Sequence, residues 1–141
     1  MVRLSRDWDA AESEPMTDSL VGKQLGKYQI QAALGKGGMG MVYMGYDPLL
    51  DRKVAIKILA PHLVWEEGFV ERFLREARAA ARIKHPHIVT VYDVGQEQEQ
   101  FYFVMEYLEG QTLADHIRQR GALPPEEVLS ILHPLADALD Y

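Results

Sequence analysis

The sequence has no cysteine among its 141 residues. This absence excludes disulfide bonds and thiolate metal sites, and it suits a reducing cytosol. Long apolar runs are also missing, since no segment approaches the length of a membrane span. Acidic side chains outnumber basic ones, and the net charge of −6 argues against nucleic acid or an acidic membrane surface as a partner. What remains is a globular composition, 48% hydrophobic, in a chain long enough for one domain with its own core.

The first 26 residues differ in kind from the rest. They mix acidic and basic side chains with little periodicity, which is typical of disorder, and they lack the apolar region of a signal peptide. We therefore predict that residues 1–26 are disordered. Met16 begins a second plausible start, so one hypothesis is that residues 1–15 are an upstream extension or an over-called start.

A glycine-rich segment, followed by a strand that contains a lysine, is the most informative feature of the chain. Its residues are Leu34, Gly35, Lys36, Gly37, Gly38, Met39, Gly40, Met41 and Val42. Without a Cβ, the backbone of a glycine can approach a polyphosphate closely.

Several kinds of loop share this glycine spacing, which fits G-x-G-x-x-G and also half of a P-loop. The Lys-Ser or Lys-Thr of a P-loop is absent, and residues 41–46 resemble a strand more than the helix of a dinucleotide-binding loop. An ordinary hairpin with a flexible tip is a further alternative, against which the lysine in the next strand argues.

The strand over residues 52–59 places its side chains alternately on two faces. Val54, Ile56 and Ile58 share one face, which we interpret as core. Ala55 and Lys57 share the other, which suits a purine lying over the small residue while its phosphates reach the cation. A lone lysine at a strand end is usually solvated, so this interpretation needs a partner that turns Lys57 inward.

A helix from about residue 65 to 84 offers such a partner. Its acids come early and its bases late, as the helix dipole prefers. Glu76 falls in the middle of its apolar stripe, which is formed by Phe69, Phe73, Ala80 and Ile83. Burying a carboxylate without a cation is costly, so we predict a contact between Glu76 and Lys57. Arg72 is a weaker candidate, and a solvated Glu76 at the edge of the stripe is the alternative.

These features together resemble the start of a eukaryotic-type protein kinase domain, most similar to the bacterial serine/threonine kinases. Residues 34–42 match its glycine loop, and Val-Ala-Ile-Lys at 54–57 matches its lysine strand. Glu76 falls where the family's αC glutamate pairs with that lysine. Residues 85–89 resemble the link into the fourth strand, and residues 101–107 the fifth strand and hinge. The resemblance covers about residues 26–141.

The resemblance implies an α+β fold. Residues 27–107 would form the small lobe, with an antiparallel sheet of about five strands and the αC helix. Residues 108–141 would leave the hinge and form the first helices of an incomplete large lobe. We expect one helix between Thr112 and Gly121 and another that begins at Pro125 and is bent by Pro134. The broad apolar face of this second helix would be exposed.

The resemblance also implies ATP as the ligand. The glycine loop would cover its phosphates, and Lys57 would steady the α- and β-phosphates. Met105 would be the gatekeeper, and the Glu106 carbonyl and Leu108 amide would face the adenine edge. Of the histidines, none has a spacing typical of metal ligands, and we predict no metal site in this chain; Mg²⁺ is expected only in the complete domain.

Catalytic residues are not predicted in this chain. The family's His-Arg-Asp and Asp-Phe-Gly sequences do not occur in it. Asp93-Val94-Gly95 imitates the second, but it comes too early, and we interpret it as a turn at the end of the fourth strand. We therefore expect the chain to be inactive by itself.

Two functional hypotheses remain open. In the first, the chain is part of a serine/threonine kinase that acts on protein substrates and whose kinase region is cytoplasmic; membrane attachment would be decided beyond residue 141. In the second, it is a non-catalytic module that binds a nucleotide or a kinase partner. The DNA downstream of Tyr141 discriminates, since a frame that encodes His-Arg-Asp favours the first hypothesis.

Overall fold

The computed structural model describes residues 20–141, and most of the predicted disordered segment, with the alternative start at Met16, lies outside the described residues. Within residues 20–141, six antiparallel strands form one sheet in the order β1-β2-β3-β4-β6-β5. The strands are β1 Gln24–Leu25, β2 Tyr28–Gly37, β3 Gly40–Asp47, β4 Arg52–Leu59, β5 Val91–Glu97 and β6 Gln100–Glu106. The α-helices are α1 Phe69–Ala81, α2 Leu113–Arg120 and α3 Pro125–Asp140, and a 3-10 turn spans Pro61–Leu63.

The fold begins earlier than the boundary at residue 26 that the sequence predicts. Leu25 is 3% exposed and packs in the core, and its strand β1 pairs with the start of β2. Ahead of it, the Gly22 amide donates to the Ile30 carbonyl at 2.8 Å. One buried leucine in a two-residue strand produces no periodicity, so the sequence pattern did not indicate this strand.

Both faces of the sheet are packed, although only the aliphatic face of β4 was predicted to be core. Val54, Ile56 and Ile58 do lie in one buried cluster. Ala55 and Leu59 lie in a second cluster on the opposite face, and α1 packs there through Phe73 and Ala77. The helix therefore covers the face that carries Lys57.

Helix α1 is shorter than predicted, beginning at Phe69 rather than near residue 65 and ending at Ala81 rather than near 84. Gly68 at its N-cap has φ +82°, a left-handed conformation that a helix does not continue through. Its buried residues are Phe73 and Ala77. The stripe was thus wrong in part, because it omitted Ala77 and included Ile83, which lies beyond the helix.

Helix α2 begins and ends as predicted, and α3 begins at the predicted residue. The Thr112 hydroxyl accepts from the Asp115 amide at 3.1 Å, and Gly121 is the C-cap of α2. Pro125 occupies the first turn of α3, and Pro134 lies inside it.

The apolar face of α3 is exposed, as predicted. Leu129 is 57% exposed and Leu139 is 81% exposed. Along the described part of the chain, residues 20–141, no helix has the length and apolarity that crossing a bilayer requires.

Candidate nucleotide-binding site

The glycine-rich segment forms a hairpin between β2 and β3, and Gly37 pairs with Gly40 across its turn. Gly38 in the turn has φ +32°, which favours glycine. A side chain built on Gly35 or Gly38 would meet no other atom within 4 Å, so this backbone borders open space. Leu34, at the base of the hairpin, is 39% exposed. The hairpin tip thus leaves room for a ligand beside its backbone.

Gly40 has a different reason to be glycine. A Cβ at this position would overlap the carbonyl oxygen of Ile58 on the neighbouring strand β4. Packing of β3 against β4 already requires glycine here, whether or not a phosphate is bound. The sequence interpretation of Gly40 as a residue that admits a polyphosphate is therefore incomplete.

Lys57 points into the molecule rather than into solvent. It pairs with Val42 on β3 and with Phe103 on β6, and its side chain is only 14% exposed. Its Nζ lies 3.7 Å from Glu76 Oε1 on α1. The sequence prediction of this partner agrees with the structure.

The burial of Glu76 was not as predicted, because its side chain is 53% exposed. Glu76 lies at the edge of the packed face of α1, next to the buried Ala77. Arg72, the weaker candidate partner, lies over the Phe69 ring, with its Cζ 5.9 Å from the ring centroid. A half-exposed ion pair contributes little to stability. We infer that the Glu76 carboxylate chiefly orients the Lys57 amine.

The residues predicted to contact a purine lie on the same face of the sheet as Lys57. Val42, Ala55 and Met105 all belong to the buried cluster under α1, and Ala55 pairs directly with Met105. Met39 packs against the same cluster, whereas Met41 packs against the opposite one. Val42, Ala55 and Met105 are at most 8% exposed, so a buried apolar cluster adjoins the Lys57–Glu76 pair.

The chain leaves the sheet at the end of β6. The Glu106 amide donates to the Thr90 carbonyl at 2.8 Å, which ties the strand end to the segment before β5. Leu108 follows outside any helix or strand and is 59% exposed. Val54, the β4 partner of Glu106, is three residues from Lys57, or about 10 Å along the strand. Lys57 and the end of β6 thus lie at opposite ends of this short stretch of β4.

Asp93-Val94-Gly95 lies inside strand β5, so its interpretation as a turn was wrong. A Cβ on Gly95 would overlap the Tyr102 ring, so the glycine reflects cross-strand packing. Asp93 Oδ2 accepts from the Tyr28 hydroxyl at 3.0 Å. Burial, together with this carboxylate, raises the pKa of the Tyr28 hydroxyl well above its ordinary value. Asp93 is therefore a structural carboxylate, separate from the face that carries Lys57.

Comparisons with known proteins agree with this arrangement. Residues 28–141 match the protein kinase domain family. Serine/threonine-protein kinase PrkC of Bacillus subtilis is 46% identical over 123 residues, which cover 86% of this chain and 19% of PrkC. PknL of Mycobacterium tuberculosis is 37% identical over 131 residues, covering 93% of this chain and 32% of PknL.

Solved kinase structures resemble the fold as well. The Mycobacterium tuberculosis PknI kinase domain is similar with a TM-score of 0.72 and 37% identity, over 85% of this chain and 49% of that one. The chain thus spans about half of that kinase domain and at most a third of the two curated relatives. This likeness confirms the predicted fold class, a kinase small lobe followed by the first helices of the large lobe. The chain therefore belongs to the protein kinase family, and its relatives are bacterial serine/threonine kinases.

Proposed function

We propose that this chain supplies the ATP-binding face of a serine/threonine protein kinase. The contact between Lys57 and Glu76 carries the proposal, because it holds a largely buried ammonium group on β4, beside the strand β3 that follows the glycine hairpin. A lysine held in this way is suited to a polyphosphate, since its charge is fixed in place before the ligand arrives.

The surrounding residues fit the parts of ATP. The glycine hairpin offers backbone without side chains beside open space, which suits the phosphates. In this proposal the purine lies against the apolar cluster of Val42, Ala55 and Met105, which is buried here, and the partly exposed Leu34 covers it. In this proposal the Glu106 carbonyl and the Leu108 amide recognise the adenine edge.

Phosphoryl transfer is proposed for a protein that also contains the rest of a kinase domain. There the γ-phosphate of ATP passes to a protein hydroxyl, and Mg²⁺ neutralises the charge of the phosphates. The residues that hold Mg²⁺ and accept the proton belong to His-Arg-Asp and Asp-Phe-Gly sequences, which this chain does not contain. We propose binding without catalysis for the chain as it stands, and a cytoplasmic location for the kinase region.

Isothermal titration with Mg-ATP tests the proposal, with Lys57→Met as the variant and Lys53→Met as its matched control. Both lysines lie on β4, but Lys53 pairs at the surface with Glu109, 3.2 Å away. We expect Lys57→Met to weaken binding at least about tenfold, since it removes a charged hydrogen-bond donor, and Lys53→Met to bind as the parent does. Equal weakening by both substitutions, or by neither, would contradict the proposal.

A further inference from the structure

A cleft lies between the segment that follows β4 and the tip of the β5–β6 hairpin. It has a volume of about 360 Å³ and is lined by Pro61, Val64, Trp65, Gln98, Glu99 and Gln100. This volume falls within the range of about 300–1,000 Å³ that is typical of ligand sites. None of the six lining residues belongs to the candidate nucleotide-binding site, so that site does not account for the cleft.

Trp65 brings an exposed aromatic ring to this cleft. The residue is 75% exposed, although a tryptophan would stabilise the fold strongly if it were buried. Its neighbour Val64 packs against the buried cluster under α1, so the segment that carries the ring is anchored to the core. Tryptophan is enriched among the residues that dominate protein interfaces, and its ring is the best aromatic acceptor for a cation. The ring is therefore available to a partner that arrives from solvent.

The opposite wall of the cleft is a tight turn with a defined shape. Gln98 at its tip has φ +53°, and the Gln98 carbonyl accepts from the side-chain amide of Gln96 at 3.2 Å. Glu97 pairs with Gln100 across the turn. Strand pairing and this hydrogen bond hold the wall in place, so the cleft exists before a partner binds.

Negative charge surrounds the cleft. Glu66 and Glu67 directly follow the tryptophan, Glu99 lies in the opposite wall, and all three are exposed. None of these carboxylates has an ion pair or a side-chain hydrogen bond in the part of the chain that the structure describes. Residues 58–71 and 85–117 contain no lysine or arginine. A cation from another molecule would therefore meet unpaired carboxylates here, whereas an acidic partner would be repelled.

We propose that this cleft is a docking site for a basic segment, rich in lysine and arginine, of a partner protein. One cationic side chain lies over the Trp65 ring, and its aliphatic stem packs against Val64. Neighbouring cations pair with the carboxylates of Glu66, Glu67 and Glu99. A purely apolar segment would cover these carboxylates without providing cations, which is costly. The docking site is independent of the proposed binding of ATP.

Fluorescence titration of the full chain measures the docking. The sequence has two tryptophans, so the variant Trp8→Phe leaves Trp65 as the only one and serves as the parent. The probe is a synthetic peptide in which lysine alternates with serine. Two control peptides of the same length have glutamate or leucine in place of lysine. We expect only the lysine peptide to change the Trp65 emission with saturation, and we expect added salt to weaken its binding.

Substitution of the ring tests the aromatic contact, with isothermal titration of the lysine peptide as the measurement. We expect Trp65→Ala to weaken binding by about two- to thirtyfold, since it removes the cation–π contact. Trp65→Phe retains a poorer ring and should lose less. Tyr141→Ala is the control, because it removes an aromatic ring that is also largely exposed, at 72%, but lies outside the cleft.

Substitution of the carboxylates tests the charge. Glu66→Gln/Glu99→Gln removes one charge from each side of the cleft and should weaken binding about threefold or more, with most of the loss disappearing at high salt. Glu126→Gln/Asp140→Asn changes the net charge by the same amount on α3, where both residues are exposed. We expect this control pair to bind the lysine peptide nearly as the parent does.

The proposal is overturned if Trp65→Ala binds as the parent does, or if the α3 pair weakens binding as much as Glu66→Gln/Glu99→Gln. The peptide would then bind through net charge alone. It is also overturned if the glutamate or leucine peptide binds as well as the lysine peptide.

Sedimentation velocity separates a partner protein from a second copy of the chain. Self-association that Trp65→Ala abolishes would show that a second copy occupies the cleft, and it would overturn the proposal. Circular dichroism checks that each variant is folded, which the exposure of Trp65 favours. If Trp65→Ala does not fold, Trp65→Phe and the Glu66→Gln/Glu99→Gln pair decide the outcome.

Discussion

The ring of Phe73 on α1 packs against the ring of Phe103 on β6, with centroids 5.1 Å apart and planes tilted by 46°. Phe103 is the strand partner of Lys57, and Phe73 precedes Glu76 by three residues on the helix. The aromatic contact therefore sets the position from which the Glu76 carboxylate reaches the Lys57 amine. The geometry of the Lys57–Glu76 ion pair, on which the proposed function depends, is therefore fixed by an aromatic contact in the core.

Phe73→Ala should lower the free energy of unfolding by about 3–5 kcal/mol, because Phe73 is fully buried and its removal leaves a cavity. Urea denaturation followed by circular dichroism measures the change. Phe69→Ala, at a partly exposed position on the same helix, should cost much less. Equal losses for the two variants would contradict the role of Phe73 in packing α1 against the sheet.

Gly40→Ala should destabilise the chain by about 3 kcal/mol, since the new methyl group must displace the backbone of Ile58. Gly37→Ala is the matched control in the same hairpin, because its nearest neighbour would be Val42 Cγ2 at 3.9 Å, an ordinary contact. We expect this control to change stability by less than about 1 kcal/mol. Thermal denaturation of both variants measures the two changes. A Gly40→Ala variant as stable as the parent would refute the requirement for glycine in the packing of β3 against β4.

Local patterns predicted the parts of this fold that depend on neighbouring residues in the chain. Thr112, Gly121 and Pro125 follow rules of helix capping that need only a few residues of context. The hairpin and the alternation along β4 are local in the same sense. The Lys57–Glu76 contact was also predictable, although it joins two elements, because an unpaired carboxylate in an apolar stripe is costly and a cation nearby removes that cost.

Features that depend on distant neighbours were not predictable in this way. The sequence pattern predicts a turn at Gly95, because it does not show that the Tyr102 ring lies against this residue. The sequence pattern predicts a buried Glu76, but in the structure α1 buries Ala77 instead and leaves Glu76 half exposed. The bond from His85 to Asp137 joins residues 52 positions apart, and no local pattern indicates it.

Asp47 should make the stability of the chain depend on pH in the acid range. Burial raises the pKa of this carboxyl, but hydrogen bonds from the Leu50 and Leu49 amides and the charge of Lys27 outweigh burial and lower the pKa below its ordinary value of 3.8. A lowered pKa stabilises the folded state above the unfolded pKa, and this contribution is lost as the pH falls through the folded pKa.

Asp47→Asn should therefore lower the midpoint of thermal unfolding at pH 7 by at least about 5 °C. The difference from the parent should begin to shrink as the pH falls below about 4, where the carboxyl of the unfolded chain becomes protonated, and should disappear once the pH is below the lowered pKa of the folded state. Asp140→Asn is the control, since this carboxylate is exposed on α3. A difference that stays constant from pH 7 to pH 3 would show that charge on Asp47 is not the cause.

Leu135→Glu combined with Leu139→Glu should raise the solubility of the chain without lowering its thermal midpoint. Leu135 is 50% exposed and Leu139 is 81% exposed, so neither contributes much buried area. Light scattering at increasing protein concentration measures the effect. Leu59→Glu is the contrasting control, because Leu59 is 1% exposed and its replacement should unfold the chain. Unchanged light scattering in the double variant would mean that this face does not drive association.

Glu76→Gln should separate stability from ligand binding. The side chain is 53% exposed, so the loss of its ion pair should change the free energy of unfolding by less than about 1 kcal/mol. Mg-ATP binding should weaken several-fold nevertheless, because an uncharged amide holds the Lys57 amine less firmly in place. Glu71→Gln, on the same helix but without the lysine contact, should bind as the parent does. In a protein that contains the complete kinase domain, Glu76→Gln should greatly lower phosphoryl transfer, which a radiolabelled phosphate assay measures. Parent-like binding by Glu76→Gln would mean that Lys57 is oriented by the sheet alone, and that the contact with α1 has no part in holding the nucleotide.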